Sequence, residues 1–87
     1  MLWYLDDLEY LGLRVVEQDP DPAAIWWGLL EGSNGHRVLV IQSAPGLTYR
    51  ENAVMLRDPT EADLESVKKD AWVLWNSGDP RLQRRRA

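Results

Sequence analysis

The sequence predicts an α+β fold: an antiparallel three- to four-stranded meander with a short N-terminal helix and a long C-terminal helix packed on one face. Three observations lead there. Two apolar segments, residues 23–31 (AAIWWGLLE) and 36–44 (HRVLVIQSA), flank Gly32-Ser33-Asn34-Gly35, where Asn-Gly supplies the positive φ angles of a tight hairpin. Apolar residues from Leu64 onward recur at helical rather than strand spacing. The run Asp19-Pro20-Asp21-Pro22 ends whatever element precedes the hairpin, because proline lacks the amide proton and clashes with a preceding helical turn.

At the N-terminus, Asp6 and Glu9 are spaced as a capping box, and Leu5, Leu8, Leu11 and Gly12 suit a short helix ending at a glycine cap. Residues 13–18 read as a strand, since Val15 and Val16 are β-branched. The alternative is one helix over residues 3–16, which leaves three strands between two helices.

In the hairpin, a two-residue and a four-residue turn differ by two in register, so either gives the same faces. One face then holds Ile25, Trp27, Leu29, Val38 and Val40, the other Trp26, Leu30, Leu39 and Ile41. Both are apolar, so the hairpin should be central and covered on both sides, or one face should meet a partner, for instance in a homodimer. Ala44-Pro45-Gly46-Leu47 fits a turn, and a third strand is expected over about residues 47–57 with a polar interruption at Arg50-Glu51-Asn52.

A long helix is expected over residues 61–77. Thr60 serves as its cap and Asp63 as the acid three residues on, while Glu61, Asp63 and Glu65 favour the positive end of the helix dipole. Pro59 precedes it; Gly78 and Pro80 follow. Leu64, Val67, Ala71, Leu74 and Trp75 share one arc, with Trp72 at its edge, Val73 opposite, and the Lys68 stem expected to cover Trp72.

Charge is unevenly placed. All 14 acidic side chains and six of the ten basic ones fall in residues 1–80, whereas residues 81–87 (RLQRRRA) hold four arginines. The expected organisation is a single compact acidic domain, residues 1–80, followed by a basic, disordered tail, residues 81–87. Eighty-seven residues allow one core but not a second domain. With no cysteine, disulfide and thiolate chemistry are excluded. The start, LWYLDDLEYL, lacks a basic segment and meets acid at Asp6 and Asp7, so it does not read as a secretory signal, and no apolar run approaches a membrane span. A cytoplasmic protein is expected.

Motifs for chemistry are missing. His36 is the lone histidine, at a hairpin end, with no acid or serine at a triad's spacing. The carboxylates sit at helix starts and turns, where capping and solvation account for them, and Asp19-Pro20-Asp21 lacks the glycine and terminal glutamate of a calcium loop. Gly32-Ser33-Asn34-Gly35 lacks the lysine of a phosphate-binding loop. No catalytic residue, metal site or cofactor is therefore assigned. The expectation is a small non-enzymatic protein-binding inhibitor or adaptor whose acidic surface occupies a basic groove. A phage-type anti-defence protein of the anti-CRISPR kind, an antitoxin or an immunity protein would suit that description. The expected partner-binding residues are Trp3, Asp6, Asp7, Tyr10, Asp58, Glu61 and Asp63, because exposed aromatics ringed by charge resemble binding hot spots. The rival reading is a nucleic-acid-binding module built on the arginine tail with Arg37, Arg50 and exposed aromatics.

Overall fold

The computed structural model describes residues 12–43 and 53–85. In chain order they form β1 (Arg14–Gln18), β2 (Ile25–Glu31), β3 (Arg37–Ser43), β4 (Ala53–Arg57), α1 (Glu61–Lys69), α2 (Ala71–Trp75) and β5 (Gln83–Arg85). The strands make one antiparallel sheet in the order β1-β2-β3-β4-β5. The expected fold class is thus corrected on two counts: the sheet has five strands rather than three or four, and no long C-terminal helix exists. The expected N-terminal helix and the turn after Ser43 lie outside the described residues. Because Arg14–Gln18 is a strand, a helix continuing through residue 16 is not formed.

The helix breaks at Asp70, whose backbone is extended at φ −164° and ψ 106°. Aspartate competes with helical hydrogen bonding through its own side chain. Here its amide still donates to the Ser66 carbonyl at 3.0 Å, while its carboxylate accepts from the Trp72 amide at 3.0 Å and so caps α2. The N-terminal cap matches expectation: the Asp63 amide donates to Thr60 Oγ1 at 3.2 Å, and the Thr60 amide to Asp63 Oδ2 at 2.8 Å. Despite the break, Leu64, Val67, Ala71 and Leu74 all face the sheet and are buried.

The hairpin register also departs from expectation. Gly32 donates to the His36 carbonyl at 2.9 Å and Gly35 to the Gly32 carbonyl at 3.0 Å, which closes a three-residue loop with Gly35 at φ +84°. Such a loop, a tight turn followed by a left-handed glycine, shifts the pairing by one relative to a two- or four-residue turn. Leu29 therefore pairs with Leu39 and Trp27 with Ile41, so the faces expected of β3 are exchanged.

On one sheet face, Ile25, Trp27, Leu29, Leu39, Ile41, Val54 and Leu56 pack against Leu64, Val67, Ala71 and Leu74 of the helices. On the other, Trp26, Leu30, Val40 and Ala53 form a second cluster, joined by Leu13, Val15, Val38 and Met55. The Trp26 indole covers Gly28: a Cβ there would come within 2.3 Å of it. Its Nε1 donates to Gln18 Oε1 at 3.2 Å, tying β2 to the edge strand β1. Among the described helices none is long and apolar enough to cross a membrane.

Candidate protein-binding surface

Asp58, Glu61 and Asp63 converge on the turn from β4 into α1, but the structure gives them different work. Asp58 adopts φ +50°, a left-handed conformation that aspartate tolerates better than most residues. Its amide donates to the Arg37 carbonyl at 2.9 Å, and its exposed carboxylate lies 3.5 Å from His36 Nδ1. Glu61 is exposed in the first turn of α1. Asp63 is only 7% exposed and is held within the fold, so it is not available to a partner. Trp3, Asp6, Asp7 and Tyr10 lie outside the described residues.

What holds Asp63 is Arg81. The guanidinium donates from Nη1 and Nη2 to the two Asp63 oxygens, each at 3.0 Å, and from Nη2 to Asp79 Oδ2 at 2.7 Å. These Arg81 hydrogen bonds are the largest cause holding both carboxyls below their ordinary value; at Asp63 burial works in the opposite direction, and the Thr60 hydrogen bonds add to the lowering. The two carboxylates in turn raise the already high pKa of Arg81. The first arginine of the expected tail is a structural cross-link between α1 and the segment that leads into β5.

Arg84 is engaged as well. Its guanidinium carbon stands 5.3 Å from the centre of the Trp75 ring, and it donates to the Trp75 carbonyl. Trp75 meets Trp72 edge to face, with 6.0 Å between ring centroids. Lys68, expected over Trp72, instead pairs with Glu17 of β1 at 3.0 Å. Trp72 is left 40% exposed beside Val73 at 59%, and among the described residues only Val16 joins them as an exposed large hydrophobic. The helical arc read from sequence already set Val73 away from the core. Asp79, two residues before Arg81, was a local signal for that arginine, but nothing in the spacing signalled its link to Asp63 or that of Arg84 to Trp75, partners nine or more residues distant.

A cleft of about 620 Å³ lies between the end of β1 and the break in the helices. Its floor, Ile25, Trp27, Val67 and Ala71, is buried throughout, and the Glu17–Lys68 ion pair lies at its rim. It therefore joins an apolar floor to charges of both signs. Among the described residues no three histidine, aspartate or glutamate side chains gather as a metal-binding group would require.

Comparison with protein-family models, with curated proteins and with solved structures gives no match to this chain.

Proposed function

We propose that the protein acts by binding another protein, as an inhibitor or adaptor, through acidic residues on the solvent side of the folded domain. The observation that supports this over a nucleic-acid-binding role is the disposition of charge around α1 and β5. Arg81 is saturated by two carboxylates and Arg84 is laid on Trp75, so neither extends freely toward a phosphate. Glu61 and Glu65, by contrast, stand exposed and enter no ion pair among the described residues. A partner with a basic groove fits this arrangement, since complementary charge speeds encounter and excludes a competing polyanion. Blocking such a groove in a nuclease or defence complex is the biological setting that suits a domain of this size.

The test begins with the partner recovered on the immobilised chain and identified by mass spectrometry. Its association rate should fall as salt rises. A variant with Glu61→Lys and Glu65→Lys should bind more weakly while keeping its circular dichroism, with a urea midpoint somewhat lowered because acids favour the positive end of α1. An association rate that is flat across salt, with unchanged binding by the charge-reversed variant, would refute the acidic-surface reading. Asp58 and Asp63 are poor choices for that reversal, the first because of its left-handed backbone and the second because of its place in the cap.

A further inference from the structure

The cleft beside the helix break has two walls of different origin over one apolar floor. The end of β1 supplies the first, with Glu17 and Asp19; the end of α1 supplies the second, with Lys68, Lys69 and Asp70; Trp27 lies in the floor. Two contacts fix this frame. The Asp19 amide donates to the Trp27 carbonyl at 2.9 Å, which seats Asp19 beside the floor, and the Glu17–Lys68 ion pair, at 3.0 Å, ties one wall to the other. The volume of about 620 Å³ falls within the range of about 300–1,000 Å³ usual for small-molecule sites.

The polar groups left over in this frame are mostly negative. Glu17 and Lys68 neutralise each other, which leaves Asp19 on one wall and Asp70 and Lys69 on the other. Each aspartate uses Oδ1 locally, Asp19 for the Asp21 amide and Asp70 for the Trp72 amide, both at 3.0 Å. Neither Oδ2 has a partner among the described residues. The break adds backbone acceptors to them. In an unbroken helix the Trp72 and Val73 amides would serve the Lys68 and Lys69 carbonyls; here both amides turn to Asp70, the first to its carboxylate and the second to its carbonyl at 3.1 Å. The negative end of the α1 dipole therefore opens at this wall. Lys69 is exposed, and its long stem lets the ammonium stand off in solvent.

We propose that this cleft binds a small organic amine, an ammonium group carried on an apolar or aromatic body. The body lies on the floor over Trp27, and the ammonium donates to Asp19 and Asp70 from between the walls. Three N–H donors suit two carboxylates and a helix carboxyl end, groups that can only accept. The chain's net charge of −4 also favours the approach of a cation over that of an anion. This site does not depend on Glu61 and Glu65 engaging another protein.

Phenethylamine, titrated into the isotope-labelled full chain and followed by nuclear magnetic resonance, is the test. A ligand of so few atoms should bind with a dissociation constant of about 1 mM and shift the Trp27 indole, the Ala71 methyl and the Asp19 and Asp70 amides. Two controls have the same ring and differ in charge. Neutral 2-phenylethanol should bind at least about fivefold more weakly, and the anion 3-phenylpropionate should not bind. Asp19→Asn with Asp70→Asn should weaken phenethylamine by about fivefold or more, because asparagine keeps an oxygen for the Asp21 and Trp72 amides and caps a helix as well as aspartate does. Circular dichroism checks that this variant is folded, and the ligand series on the wild-type chain decides the matter independently of it. No binding of phenethylamine up to about ten times the expected constant, equal binding of the alcohol, or shifts that avoid Trp27 and Asp70 would each overturn the proposal. A folded double variant that binds as wild type does would overturn it too.

Discussion

Trp26 and Trp27 are neighbours in sequence and serve opposite faces of the sheet, and both are buried. The alternation of strand side chains made that separation legible, whereas the amide left among the buried residues was not. Gln42 pairs across the sheet with Trp26 and Ala53, is fully buried, and among the described residues neither its Oε1 nor its Nε2 has a hydrogen-bond partner. A buried amide without partners costs about 1–3 kcal/mol per unmet group. Gln42→Met, close to it in volume and free of that cost, should raise stability by about 1–2 kcal/mol in urea unfolding, on the same grounds. A loss of similar size would mean that the amide is satisfied in solution. Sequence pattern could not reveal this residue, because a lone glutamine in an apolar strand reads as an outward-facing position until the register is known.

At the scale of elements, the helical periodicity correctly identified which residues of α1 and α2 meet the sheet but not that the helix is interrupted. The pattern carries past the break because Ala71 and Leu74 of the second helix are again buried against the sheet. A clue was present in Asp70 itself, a strong capping residue placed immediately before Ala71-Trp72. The hairpin failed in the reverse way. Its location was legible from Gly32-Ser33-Asn34-Gly35, yet the choice of a three-residue loop, made by Gly35 at positive φ, exchanged the faces of β3. For the helices, Leu74→Ala should cost about 2–5 kcal/mol, as it empties a buried site, while Val73→Ala should cost well under about 1 kcal/mol at its exposed one. Equal losses in parallel urea melts would show that α2 is rotated from the orientation described.

For the whole molecule, the consequential feature is how the arginine-rich end joins the acidic domain. Composition alone suggests a tail, since four of seven residues are arginine; the pairing of β5 with β4 and the Asp63–Arg81–Asp79 cluster make residues 81–85 part of the sheet and its border. These contacts span 18 residues between Asp63 and Arg81, a separation that local pattern does not encode. They have a pH signature. Both carboxyls are held below the ordinary value of 3.8, so the stability they contribute is complete above that value and is lost as pH falls through their lowered folded values. The stability gap between wild type and Arg81→Gln should accordingly be constant from neutral pH to about pH 5 and narrow below about pH 4. A gap that is unchanged in strong acid would place Arg81 outside the cluster in solution. The same engagement underlies the proposed functional reading, in which Arg81 and Arg84 belong to the fold and the acids face the partner. The most direct test is a fluorescence-anisotropy titration of labelled DNA and RNA oligonucleotides at about physiological ionic strength, where exposed charges more than ~8 Å apart are largely screened. It compares the full chain with a variant carrying Arg84→Gln, Arg85→Gln and Arg86→Gln, which keeps the Arg81 cross-link intact. The account predicts no measurable binding by either protein; tight binding by the full chain that the triple substitution abolishes would contradict it.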